Sequence, residues 1–227
     1  MLEEAFSYPR EDDDPLMTFL IGSGILLVSF VIGITIIPLY GYLLQVLDDG
    51  RTGAPGLPEF EDWETLIVDG LKMFVVNLLY TGIPGLIMGT VVSITVFAAI
   101  FSGFLDEGAG AVVLVVLLIG ALVSLLALAL VIVGSLMMPA ALGRMRVEDE
   151  FTAALDVREV FAITKNSDYL VAVVLAWVVG FAFSLVGGLL SILLIGIPII
   201  LYGFMVVFHL YGQGYARAVD AAKRRPN

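Results

Sequence analysis

Three polar side chains within long apolar stretches are the strongest candidates for chemistry in this sequence. They are Asn77, His209 and Gln213. Placing a polar group at membrane depth is costly, so such a residue marks either a functional site or a hydrogen bond between helices. His209 titrates near neutral pH, which suits a gate or a pH sensor; the competing interpretation is a hydrogen bond to a neighbouring helix.

Other reactive groups are scarce. A single His and no Cys exclude multi-His zinc motifs, Cys-based metal sites, disulfides and thiolate nucleophiles. There is no phosphate-binding glycine loop and no nucleophile elbow. Gly22-Ser23-Gly24 lies in an apolar stretch, where a packing notch is a better interpretation than a nucleophile. We therefore expect no catalytic residues, no metal site and no cofactor, and we expect that the protein is not an enzyme.

Composition places the chain in a membrane. Of 227 residues, 60% are hydrophobic and 15% charged, whereas a soluble domain is about half apolar and a quarter charged. The net charge of -11 excludes a nucleic-acid-binding protein. An acidic surface with few lysines is typical of proteins that work in concentrated salt, and the competing interpretation is simply an acidic membrane protein.

Charge in the loops predicts the orientation. Residues 139–169 form the one long polar interval between two apolar blocks, and they carry three Arg and one Lys. The turn at Asp106-Glu107-Gly108 carries no cation. Short loops rich in Lys and Arg stay in the cytoplasm, so we expect residues 139–169 inside and the Asp106 turn outside. With a basic C-terminus as well, the pattern predicts a multi-pass cell-membrane protein with both termini cytoplasmic.

The apolar blocks predict an all-α fold, a polytopic bundle of about six transmembrane helices arranged as three hairpins, with interfacial amphipathic helices. This single membrane domain is predicted to begin with an acidic cytoplasmic N-terminus (1–14), a first hairpin (16–47) and a cytoplasmic loop (48–64). A second hairpin (65–138), a cytoplasmic connector (139–168), a third hairpin (169–215) and a basic cytoplasmic tail (216–227) follow. The N-terminus itself is open between a short surface helix and a frayed tail.

The first hairpin has an alternative. Residues 16–47 form either one long tilted helix with a kink at Pro38, or two short helices that turn near Gly33. A single crossing would force Asp69 and Lys72 into the membrane, so we prefer the hairpin. Residues 60–76 also resemble residues 155–172, which favours the same side of the membrane for both, although chance similarity would explain it too.

Interfacial helices are predicted on either side of the second hairpin. Trp63 stands at the entrance of a helix over residues 64–80, which we expect to break or kink at residues 81–85. An amphipathic helix is predicted over residues 150–165, and Pro139 should end the helix before it. The candidate interfacial anchors in these segments are Trp63, Lys72, Arg158 and Lys165.

Several segments together carry a family resemblance. They are YP..DD near the N-terminus, GYLLQVLDDG, LPEFEDWETLIVDGLKMFVVNLLY, FTAALDVREV and HLYGQGYARA. In these segments the sequence resembles an uncharacterised archaeal membrane family, domain of unknown function family 4013, which is abundant in halophiles. The resemblance implies a multi-spanning membrane protein from a halophilic archaeon. It implies no activity and no catalytic residue.

Two functions follow as hypotheses. The first is a non-enzymatic scaffold or partner subunit, whose interfacial helices contact membrane lipids and a protein at the cytoplasmic face. The alternative is a permease or lipid-handling protein for an apolar substrate, suggested by small residues along the fifth predicted helix, namely Ala176, Gly180, Ser184, Gly187 and Gly188.

Overall fold

The computed structural model describes residues 1–10, 15–101 and 110–224, and these are almost entirely helical, without a β-strand. The predicted all-α fold is therefore confirmed. The helices are, in chain order, α1 (Leu2–Ser7), α2 (Pro15–Ser29), α3 (Ile37–Thr52), α4 (Trp63–Asn77), α5 (Ile83–Phe101), α6 (Gly110–Glu148), α7 (Val157–Thr164), α8 (Ser167–Leu190) and α9 (Gly196–Lys223).

Four helical stretches in the described ranges are long and apolar enough to cross a membrane. They are Trp63–Phe101, Gly110–Glu148, Ser167–Leu193 and Gly196–Lys223, and α2 is a shorter apolar helix. The fold is thus a membrane helical bundle. Six crossings in three hairpins remain a prediction, and so does the orientation.

The chain divides into two compact units, residues 1–76 with 139–227 and residues 77–138. The second unit consists of a π-helical turn (Leu78–Gly82), α5 and most of α6. A Cβ atom on Gly134 would meet the backbone of Tyr80, and one on Gly120 would meet the side chain of Thr95. Close approach at these two glycines therefore pairs α6 with α5 and with the π-helical turn before it. None of the residues of α5 is buried.

In the first unit, α3 and α8 pack on α9, which is the central helix. The largest fully buried side chains on these elements are Leu39, Tyr42, Leu44, Leu47, Tyr169, Leu201, Met205 and Leu210. Most of α9 is buried, whereas α8 turns many apolar side chains outward. The outward face of α8 suits contact with lipid, because hydrocarbon tails are as apolar as those side chains.

Glycines let α3 touch its neighbours backbone to backbone. A Cβ atom on Gly50 would overlap the carbonyl group of His209, and one on Gly212 would overlap that of Leu47. The same holds where α3 meets α4, at Gly41 against Leu66. Without side chains at these points, the helix axes approach more closely than larger residues allow. Both ends of α3 are therefore fixed by contact with a second helix.

The turn in the first hairpin lies where one of the two alternatives put it. Helix α2 ends at Ser29, a 3₁₀ turn spans Gly33–Ile36, and α3 begins at Ile37 with Pro38 in its first turn. A proline there is compatible with the helix because the first N–H groups have no partner within it. Residues 16–47 thus form two helices.

Pro139 does not end its helix, contrary to the prediction. It lies inside α6, which continues to Glu148. Proline removes one hydrogen bond and disfavours the preceding turn, but helices in apolar surroundings tolerate it when packing holds the next turn. Here the next three residues, Ala140, Ala141 and Leu142, are completely buried. The helix therefore continues for nearly three turns from the residue predicted to end it.

Two further boundary predictions are wrong. The segment over residues 150–165 is not one helix, because Asp156 interrupts it: a 3₁₀ turn occupies Phe151–Leu155, and the Asp156 carboxylate then caps α7 by accepting from the Glu159 N–H at 3.2 Å. Of the break or kink predicted at residues 81–85, the break is wrong, since a π-helical turn leads directly into α5, and the kink stays a prediction. Such turns insert one residue without ending a helix.

The N-terminus is packed rather than frayed. Ala5 and Tyr8 are buried, and the Tyr202 hydroxyl donates a hydrogen bond to the carbonyl oxygen of Phe6. Phe6 also lies against the ring of Phe183, with centroids 6.0 Å apart. These contacts hold α1 on α8 and α9. The acidic residues 11–14, the predicted outer turn at Asp106 and residues 225–227 lie outside the described ranges.

Candidate functional site

An ionic network joins α3, α4 and α6 in the first unit. The guanidinium of Arg146 contacts the carboxylate of Asp69 at 2.8 Å and that of Asp48 at 3.6 Å. Lys72 reaches the other oxygen of Asp69 at 3.0 Å, and Arg51 contacts Asp48 at 2.7 Å. Asp69 is the most buried member, with 8% of its side chain exposed. Each of the two carboxylates thus contacts two basic groups, and Arg146 bridges them.

A third carboxylate, Asp49, lies beside the network and binds the N-terminal segment. The Tyr8 hydroxyl donates to Asp49 at 2.6 Å, and the Tyr8 ring lies over the imidazole of His209, with centroids 4.2 Å apart. Burial raises the pKa of Asp49, the hydrogen bond from Tyr8 lowers it, and the neighbouring charges of Asp48 and Arg146 raise and lower it respectively. Burial has the largest effect, so the pKa of Asp49 is raised overall and the folded environment disfavours the charged carboxylate.

A polar cavity of about 310 Å³ opens beside these groups. The lining consists of Gln45, Asp48, Asp49, Pro55, Gly56, Leu57, Pro58 and Arg146. Within the described ranges, no group of three or more His, Cys, Asp or Glu side chains is arranged to hold a metal ion. The cavity is lined by ion-paired side chains and by loop residues, so this arrangement suits a polar contact that holds the helices together.

The three predicted polar residues belong to the two different units of the fold. His209 and Gln213 are both buried on α9, in the first unit. Both side-chain polar atoms of Gln213 are buried without a hydrogen-bond partner among the described residues. Asn77 belongs to the second unit, where its side-chain oxygen accepts from Thr81 at 2.6 Å. His209 and Gln213 thus share one helix of the first unit, and the functional roles of all three residues stay predictions.

The four predicted interfacial anchors differ in their surroundings. Trp63 has 44% of its surface exposed at the start of α4, and Lys72 is held by Asp69. Arg158 and Lys165 are exposed on and just after α7, and the Lys165 ammonium lies 4.7 Å from the ring centroid of Phe161. Neither Arg158 nor Lys165 has an ion-pair partner within the described residues.

Two parts of the polar site were not singled out from the sequence. Arg146 was assigned only to a basic connector, and its partner Asp69 lies 77 positions earlier. Tyr8 and Asp49 are separated by 41 positions. One local signal was available: Asp69 and Lys72 are three residues apart, which is pairing distance on a helix and marks the charges as neutralised.

A family model described as "Protein of unknown function (DUF4013)" matches residues 24–192. The chain belongs to this family. In this DUF4013 member the match covers α3, α4 and Arg146, and hence the whole ionic network, but neither Tyr8 nor the HLYGQGYARA segment of α9. No curated protein matches the chain. No solved structure matches it either.

Proposed function

We propose that this membrane protein is a non-enzymatic scaffold or partner subunit of the cell membrane, with both termini in the cytoplasm. The observation that carries the proposal is α7. Its inner side is fixed, because Val160 is fully buried and Asp156 caps the first turn. Its outer side exposes 58% of Val157 and 45% of Phe161, beside the unpaired cation Arg158.

A short helix of this kind supports docking better than catalysis. Exposed apolar side chains that are rimmed by charge mark surfaces for association. The inner side of α7 contacts α8 and α9, which hold the helix in place. The partner that fits has an apolar groove bordered by carboxylates.

The permease alternative rested on the small residues of α8. Ala176 is fully buried, Gly180 faces Val207, and a Cβ atom on Gly187 would meet Ile200. These contacts favour a packing role for three of the five small residues, whereas Ser184 is exposed and a Cβ atom on Gly188 would have no neighbour within 4 Å. Flux of an apolar substrate across vesicles containing the purified protein would favour the alternative.

Crosslinking in intact membranes tests the proposal. A tagged chain with Arg158→Glu and Phe161→Ser should lose a specific crosslinked partner. A control chain with Arg217→Glu and Ile192→Ser, both at exposed positions outside α7, should retain it. A partner that both chains retain, or no partner with either the unaltered or the altered chain, would contradict docking through α7.

The source is also part of the proposal. The acidic, lysine-poor composition supports a halophilic archaeal membrane, where concentrated salt screens the repulsion within a chain of net charge -11.

A further inference from the structure

We propose that the cavity between α7 and the C-terminal end of α9 binds the anionic headgroup of a phospholipid. The cavity measures about 500 Å³. Its lining consists of Ala162, Ile163, Lys165, Asn166, Ala218, Val219, Ala222 and Lys223. Two of the chain's three lysines therefore meet in one cavity.

The charge of this cavity is uncompensated. Lys165 and Lys223 form no ion pair within the described residues, although Asp168 and Asp220 each lie one helical turn away from one of them in sequence. In a chain of net charge -11, two unpaired ammonium groups in one cavity create a local site for an anion. Ammonium groups bind phosphate as compact point charges.

The remaining lining distinguishes a lipid from a free anion. Six of the eight lining residues, all except the two lysines, carry no charge, and five of these are Ala, Val or Ile. A free phosphate needs only a few polar donors, whereas a lipid also presents glycerol and acyl carbons, which pack on such a wall.

The position of the cavity fits a headgroup. It lies where two candidate membrane spans end, since α8 begins at Ser167 and α9 ends at Lys223. Chain segments that leave the hydrocarbon region do so at the headgroup layer. Basic pockets between the ends of membrane helices are established sites for anionic lipid headgroups. The inference does not depend on the partner-subunit proposal, because it concerns the side of α7 that faces α9.

Lipid retention by the full-length purified protein tests this inference. The protein is incubated in detergent with equal amounts of phosphatidylglycerol and phosphatidylcholine, and the bound lipids are counted by native mass spectrometry. We expect preferential retention of phosphatidylglycerol. Lys165→Gln should lower it about fivefold, and the double variant with Lys223→Gln roughly twenty-fold, from the usual contribution of one basic residue near an anionic surface.

The matched control removes the same charge elsewhere. Arg10→Gln with Arg217→Gln deletes two exposed cations that do not line the cavity, and it should leave retention within about twofold. Equal loss in both double variants would show general attraction to the surface and overturn the proposal. Equal binding of the two lipids by the unaltered chain would also overturn it, as would full competition by millimolar inorganic phosphate. A circular dichroism spectrum and unfolding midpoint for each variant verify that the fold is retained.

Discussion

Replacing Gly212 by Ala should destabilise the protein, because the added methyl group has no room where α9 crosses α3. A Cβ atom at this position would lie less than 3.0 Å from three backbone atoms, the carbonyl oxygen of Leu47, the nitrogen of Arg51 and the carbonyl carbon of Gly50. Backbone atoms cannot rotate aside as a side chain can. One helix must therefore shift as a whole.

The magnitude follows from two opposing terms. Exchanging Gly for Ala inside a helix gains about 1 kcal/mol through propensity. Inserting a methyl group into a well-packed contact costs typically 1–3 kcal/mol and occasionally more, and a clash with backbone belongs at the upper end of that range, about 3 kcal/mol. The net loss is then about 2 kcal/mol, which corresponds to a fall of roughly 4–8 °C in the unfolding midpoint of a chain of this size.

The chain offers a matched control. Gly188 lies within α8, and a Cβ atom there would have no neighbour within 4 Å. Gly188→Ala should therefore leave the midpoint unchanged or raise it slightly. Thermal unfolding of both variants in the same detergent, followed by circular dichroism, gives the comparison. Equal midpoints for Gly212→Ala and Gly188→Ala would refute the close backbone contact.

A double variant makes the test more specific. A Cβ atom on Gly50 would overlap the carbonyl group of His209 across the same crossing. Because one outward shift of α3 relieves both clashes, Gly50→Ala and Gly212→Ala together should cost less than the sum of the two single changes. Full additivity would indicate two independent contacts instead of one crossing.

The remaining predictions concern charge. Arg146→Gln leaves the mostly buried Asp69 with Lys72 as its only cation. The unfolding free energy should fall by about 2 kcal/mol, less than the 3–5 kcal/mol for breaking a fully buried pair, because Arg146 is part-exposed. An unchanged unfolding midpoint in detergent would contradict the network. The pKa of Asp49 is raised in the folded state, so the native state binds more protons there than the unfolded state. Stability from this group therefore falls as pH rises from about the ordinary aspartate pKa of 3.8 through the raised pKa. Asp49→Asn should therefore be closest to the parent in stability at acid pH and gain on it towards neutral pH, and a difference that does not vary with pH contradicts the burial of this carboxylate. Raising KCl from 0.1 to 2 M should raise the unfolding midpoint, since the Debye length falls from about 10 Å to below about 3 Å; a falling midpoint contradicts the salt-adapted surface.

Much of the fold was predictable because the bilayer constrains it strongly. Uncharged blocks of the length of α6, α8 and α9 have few alternatives to helices, and the break before Gly196 follows from length alone. The turn near Gly33 was one of two alternatives. Local sequence separates them poorly, because proline is compatible with both a kink and a first helical turn.

The errors share one physical cause, which is tertiary packing. Pro139 carries a strong local signal to end a helix, but burial of the residues after it holds α6 together. The helix predicted over residues 150–165 has good periodicity, yet the cap at Asp156 restarts it. Neither compensation is visible in a short window of sequence.

The polar site was less predictable than the fold. Isolated polar residues such as His209 stand out in an apolar block, and burial of His209 and Gln213 agrees with that signal. Arg146 does not stand out, because a basic residue in a connector is expected to face water. Its contact with Asp69 depends on the approach of α6 to α4, which no periodicity predicts.

The central proposal is that the apolar helices cross the membrane with the ionic network at the cytoplasmic end. The chain lacks Cys, so single introduced cysteines can be labelled in intact cells with a membrane-impermeant maleimide. We predict that Thr52→Cys and Asp149→Cys, both exposed positions near the network, react only after lysis, whereas Gly108→Cys reacts from outside. Labelling of Thr52→Cys in intact cells would contradict this arrangement.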